Sequence, residues 1–165
     1  LHTEDRTAGL RILTAKCLSI NQSKKETSLM QCIKFRIEGA PTAKGRPRFA
    51  RMGAHVRAYT PKKTEGAENT IKLIASNALA SPFNGAVELF IVFGMPIPKS
   101  TSKKRAESLK SRPHLKRPDV DNLVKLVLDA LNGVAWDDDS QVFSIVARKV
   151  YSDDPYTEIT VCGHE

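Results

Sequence analysis

Apolar and polar residues alternate through Cys32-Ile33-Lys34-Phe35-Arg36-Ile37-Glu38, the period-two pattern of a half-buried strand. The spacing changes after Thr60-Pro61, an N-cap and first-turn pair. Ile71, Ile74, Ala75 and Leu79 then form a stripe at helical intervals, predicting a helix to about Ala80. Residues 87–93 are rich in β-branched and aromatic side chains and predict a buried strand. A short helix follows over 122–131, closed by Asn132-Gly133. Strands over 142–151 and 156–162 complete the chain, joined by the turn Ser152-Asp153-Asp154-Pro155. Two stretches show no periodicity: 39–53, rich in Lys, Arg, Pro and Gly, and a long basic loop over 97–118. The order β-α-β-α-β-β predicts a small single-domain α+β fold with a mixed sheet. Residues 1–29 are polar and aperiodic and are expected to form a weakly ordered extension before an ordered domain over 30–165.

Composition narrows the class. With 165 residues, 41% hydrophobic and 27% charged, the chain suits one globular core. It holds no apolar run near the roughly 18–20 residues that span a bilayer. The stretch from Leu10 to Leu18 is broken by Arg11, Thr14 and Lys16 and does not form a signal-peptide core. Cys17, Cys32 and Cys162 are far apart and form neither a C-x-x-C pair nor a disulfide framework, so a reducing cytoplasm is expected. His2, His55, His114 and His164 are scattered, which argues against structural zinc.

The formal charge of +8 conceals an uneven distribution. Residues 31–118 hold 18 basic and 5 acidic side chains, whereas 119–165 hold 3 basic and 10 acidic. A basic segment of that size points to a polyanion, most often nucleic acid. The carboxylates cluster at Asp119, Asp121 and Asp137 to Asp139, where they would repel a phosphate backbone unless a cation lay between. A divalent metal resolves that conflict.

The densest chemistry lies in Arg117-Pro118-Asp119-Val120-Asp121-Asn122-Leu123-Val124-Lys125 and its continuation to Gly133. On an extended lead-in, Asp119 and Asp121 project to one side and can share a hard cation through oxygen alone. Asp121 stands where an N-cap is expected. The helix behind it reads as apolar nearly all round and therefore buried, interrupted by Lys125 and Asp129 at i, i+4 spacing. Asp129 lies too far along for the same metal and is expected to hold Lys125 or a nearby turn. Trp136-Asp137-Asp138-Asp139-Ser140-Gln141 follows, and an antiparallel return could bring one of its aspartates back beside Asp119 and Asp121. Trp136, the only tryptophan, is expected in the core rather than as a platform for bases.

Together, Arg-Pro-Asp-Val-Asp-Asn-Leu-Val-Lys, Leu-Asp-Ala-Leu-Asn-Gly and Trp-Asp-Asp-Asp-Ser-Gln-Val resemble the RusA-type Holliday junction resolvases of bacteria and their prophages. The close likeness covers 117–142. Ile37-Glu38-Gly39 with Pro41, Lys44, Arg46, Pro47 and Arg48 extends it to 31–162. The resemblance implies a small α+β homodimer that cuts four-way DNA junctions symmetrically, using Mg²⁺ or Mn²⁺ held by three aspartates. It assigns the metal to Asp119, Asp121 and Asp139, with Asp138 in the double-Asp motif beside the last. Lys125 takes the place of an essential lysine. The 1–29 extension is not part of the likeness.

Elementary chemistry agrees. Phosphodiester hydrolysis needs an activated water and stabilised phosphoryl charge, which a carboxylate-held metal supplies, and Lys125 could neutralise charge developing on the phosphate. Lys44, Arg46, Arg48 and Arg51, with Lys103, Lys104 and Arg105, are the expected grips on DNA phosphates. Two coordinated cuts favour a homodimer. The rival expectations are a nuclease for flaps or forks, and a non-catalytic basic DNA-binding module whose aspartates only cap a helix and decorate a turn.

Overall fold

A computed structural model of the chain describes residues 30–46, 48–52, 55–59 and 61–164. The extension expected over 1–29 lies outside the described residues. The elements are β1 (Gln31–Glu38), β2 (Arg48–Met52), β3 (His55–Tyr59), α1 (Lys62–Ala78), β4 (Ala86–Pro96), α2 (Lys103–Leu109), α3 (Val120–Leu131), β5 (Val142–Ser152) and β6 (Tyr156–His164), with a 3₁₀ turn at Asp139–Gln141.

The main sheet has the order β1-β6-β4-β5, in which β4 and β5 are parallel and the other pairs antiparallel. This is the mixed sheet of the expected α+β class. β5 and β6 are joined by a three-residue turn yet do not pair with each other, because β4 lies between them. The reason is composition: β4 buries Val87, Leu89, Ile91, Phe93 and Met95, and such an apolar strand is best placed with both edges covered. α1 packs on α3 and β1. The core joins Leu89, Ile91, Phe93, Ile159 and Val161 of the sheet to Leu123, Leu126, Val127 and Leu131 of α3. Trp136 is wholly buried, as expected of a core residue.

Three expectations require correction. The element order is longer than β-α-β-α-β-β, because β2 and β3 form a separate hairpin where a loop was expected and α2 forms inside the basic stretch 97–118. Lys103-Lys104-Arg105-Ala106-Glu107-Ser108-Leu109 consists mainly of good helix formers, and its charge obscured that propensity. Secondly, α3 is amphipathic rather than buried all round. Asp121, Lys125 and Asp129 lie exposed along one stripe while Leu123, Leu126, Val127, Ala130 and Leu131 face inward. Thirdly, Cys32 and Cys162 stand directly opposite in the β1–β6 ladder and form a disulfide 130 residues apart in sequence. Sequence distance concealed their register, and the ground for expecting a reducing cytoplasm falls with it. Among the described residues no helix is long and apolar enough to cross a membrane.

Gly94 marks a close approach between β4 and its neighbour β6. A Cβ there would lie 2.5 Å from the Tyr156 ring, and that ring carries the Arg36 guanidinium 3.8 Å from its centroid. Gly94→Ala must therefore displace an aromatic side chain and its cation together. A loss of about 1–3 kcal/mol in urea unfolding is expected; an unchanged midpoint would show that Tyr156 swings aside freely.

Candidate metal and nucleic-acid site

The site begins where α3 begins. Asp119, not Asp121, is the N-cap, with extended backbone at φ −74° and ψ 149°. An aspartate in this position usually turns its carboxylate onto the first free N–H groups of the helix. Asp119 makes no such side-chain bond, and only its carbonyl accepts, from Leu123 N at 3.3 Å. Asp119 is exposed, and among the described residues its carboxylate makes no hydrogen bond or ion pair. Asp121 is the acidic residue of the first turn, where the helix dipole favours negative charge. Lys125 lies one turn further on the same exposed stripe, and among the described residues it makes no ion pair. Neither partner considered for it, Asp121 or Asp129, holds it.

The lead-in to Asp119 is fixed from β5. The Arg117–Pro118 peptide bond is cis. Lys149 Nζ donates to the carbonyls of Pro118 at 2.6 Å and Lys116 at 2.9 Å, and the Lys149 carbonyl accepts from His114 N at 3.0 Å. Lys149 was missed in the sequence because Arg148-Lys149 within an alternating strand gives no sign of which cation turns inward. His114 beneath this segment is buried and meets the Tyr151 ring edge-on at 4.6 Å. Its Nδ1 has no partner among the described residues. Burial, aided by the nearby Lys149 charge, holds the imidazole below its ordinary pKa.

At the other end of α3 the triple aspartate forms a defined turn. Asp138 caps the 3₁₀ turn, accepting from Ser140 N at 2.9 Å, and this bond lowers its carboxyl pKa. Gln141 closes the capping box, its Oε1 accepting from Asp137 N at 2.9 Å and Asp138 N at 3.1 Å. Its Nε2 donates to Phe83 and Gly85 carbonyls, tying the turn to the segment before β4. Asp139 heads the turn with its carboxylate exposed.

The expected phosphate grips separate into groups. Lys44 N donates to Asn122 O at 2.9 Å, which lays residues 41–46 against the start of α3. The Lys44 ammonium, however, lies 2.6 Å from Glu68 and 2.5 Å from Asp129. Burial pulls its pKa down, yet the hydrogen bonds to Asp129 and Glu68 outweigh this and raise it. Asp129 therefore braces Lys44 rather than Lys125. Arg46 is exposed close by, Arg48 and Arg51 lie on β2, and Lys103, Lys104 and Arg105 stand exposed on α2.

The structure brings Asp119, Asp121 and Lys125 to one end of α3 and places Asp138 and Asp139 beyond the other. The 12-residue helix between them spans about 18 Å. Among the described residues, no three of His, Cys, Asp and Glu gather closely enough to hold a metal. The expected return of Asp139 to the first two aspartates does not occur within one chain, because β5 starts at the far end and runs back alongside α3.

Residues 38–162 match the family model of endodeoxyribonuclease RusA, and the chain belongs to that family of Holliday junction resolvases. It is also similar to the uncharacterized protein YqaN of Bacillus subtilis (strain 168), with 38% identity over 138 residues, covering 80% of this chain and 96% of that protein.

The buried imidazole gives the lead-in a pH signature. In the unfolded chain His114 takes up a proton near its ordinary value of 6.5, while the folded chain resists protonation. The unfolded state then binds more protons, so stability falls as pH drops through that value. Denaturation between about pH 7.5 and 5.5 should show this slope, and His114→Phe should flatten it even if absolute stability changes. An equal slope in the variant would locate the titration elsewhere.

Proposed function

We propose that this protein is a Mg²⁺-dependent structure-specific endonuclease, with Mn²⁺ as a substitute, that resolves four-way DNA junctions as a homodimer by paired symmetric cuts in recombination and repair. The observation that carries the reading is the exposed Asp119, whose carboxylate makes no capping bond to the helix, with Asp121 two residues on and Lys125, without an ion pair among the described residues, one turn beyond Asp121.

The donor chemistry fits a hard divalent cation: Asp119, Asp121 and Asp139 offer carboxylate oxygens with no thiolate or imidazole. When bound, such a cation lowers the pKa of water and offsets phosphoryl charge. Lys125 places an ammonium beside the scissile phosphate. Lys149 keeps the Asp119 backbone in position, and Gln141 with Asp138 does the same for Asp139. Arg46, Arg48, Arg51, Lys103, Lys104 and Arg105 hold flanking phosphates, while Lys44 ties the first basic segment to α3.

A second copy supplies what one chain lacks. Asp139 stands beyond the opposite end of α3 from Asp119 and Asp121, so the third carboxylate would come from a partner. β5 is an edge strand of 11 residues with Phe143 62% and Val146 51% exposed, a surface suited to such a partner.

A synthetic four-way junction with Mg²⁺ tests the activity. Cutting is expected with the wild-type chain, and chelation should abolish it. Asp119→Asn, Asp121→Asn and Lys125→Ala should each reduce it by at least about 10²-fold. Undiminished cutting by both aspartate variants would remove the metal assignment. Mixing inactive Asp119→Asn with inactive Asp139→Asn should restore single-strand nicking if the carboxylates come from different copies; no recovery in verified mixed dimers would place them in one chain.

A further inference from the structure

Leu115 is 90% exposed, the most exposed large hydrophobic side chain among the described residues. A lone leucine on a loose loop would need no explanation, but this one is held on both sides. Before it, Pro113 bridges to Val150, and His114 is buried with its N–H on the Lys149 carbonyl. After it, the Lys116 and Pro118 carbonyls accept from Lys149 Nζ. β5 therefore fixes the backbone around Leu115 while the side chain stands in water. Its neighbours Arg112, Lys116 and Arg117 are exposed cations, and Asp119 follows four residues later.

We propose that Leu115 is a wedge that inserts into the base stack at the branch point and so sets the preference for junctions. An apolar side chain that replaces stacking contacts, with cations holding the phosphates on either side, is the combination by which proteins open and kink duplex steps. The next residue, Lys116, lines a cavity of about 350 Å³ together with Thr101, Arg105 and Tyr151 among others. The cavity offers a cation for phosphate and an aromatic ring for a displaced base. The proposal rests on the junction-resolving function and adds the residue that would select branched over linear DNA.

Two readouts test it. With 2-aminopurine at the branch of a four-way junction, binding by the Asp119→Asn chain should raise fluorescence as the base unstacks, and Asp119→Asn/Leu115→Ala should not. In the otherwise wild-type chain, Leu115→Ala should lower junction cutting about tenfold or more, since unstacking is no longer compensated, while Leu115→Met retains most of it. The thermal midpoint and dimer mass should be unchanged in both single variants. Equal fluorescence and equal cutting by Leu115→Ala would overturn the wedge while leaving the resolvase function intact. A shift of Leu115→Ala to monomer would also overturn it, by making Leu115 an interface residue. If the wild-type chain neither binds nor cuts the junction, the resolvase function fails, and the wedge with it.

Discussion

The burial of one face of α3 determines how the rest of the site is arranged. Leu123, Leu126, Val127 and Leu131 enter the core, which fixes the rotation of the helix and leaves Asp121, Lys125 and Asp129 on the outer stripe. The same packing fixes its axis against the sheet, so its two ends carry different groups. The N-terminal end presents Asp119 and Asp121, and the C-terminal end leads through Trp136, wholly buried, to the capped turn with Asp139. A helix that must return through β5 cannot bring its flanking segments together. The hydrophobic effect that stabilises the domain therefore also keeps Asp139 apart from Asp119 and Asp121.

Lys149 applies a second constraint. One ammonium bound to the Lys116 and Pro118 carbonyls orders the end of the lead-in, where residues 115–117 are exposed and Pro118 is half-buried. Because these are charge-assisted bonds to backbone, they set the path of the chain whatever the neighbouring side chains are. Asp119 is thus positioned by β5 as well as by its own helix. A carboxylate held from two elements loses less conformational entropy when it engages a ligand than one on a free loop.

Much of this was legible in the sequence, for identifiable reasons. Period-two alternation exposed β1 and a helical stripe exposed α1, while β-branched and aromatic composition marked β4 and turn or cap residues bounded α3, β5 and β6. The Asp119, Asp121 and Lys125 set was visible as a charged interruption of an apolar helix. The hairpin β2–β3 and α2 were not, because basic composition dominated both segments; in α2 no residue is buried, so no hydrophobic period marks it. The Cys32–Cys162 bond depends on strand register across 130 residues, which no local pattern encodes. The partners of Lys44 and Lys149 were hidden for the same reason: which cation meets which acceptor is decided by packing rather than by spacing.

The ion pairs explain why a chain with clustered acids can still serve a polyanion. Asp129 is compensated by Lys44, Glu158 by Lys34 and Asp153 by Lys110. Each of these belongs to the framework, and its negative field is largely cancelled at short range. Asp119, Asp121 and Asp139 have no such partner among the described residues. These three carboxylates stand in two places, Asp119 and Asp121 at the start of α3 and Asp139 beyond its end. In the lead-in to Asp119, the exposed Arg112, Lys116 and Arg117 stay free of carboxylate partners among the described residues. Divalent charge bound at Asp119 and Asp121 would offset their repulsion of a phosphate backbone that these cations attract.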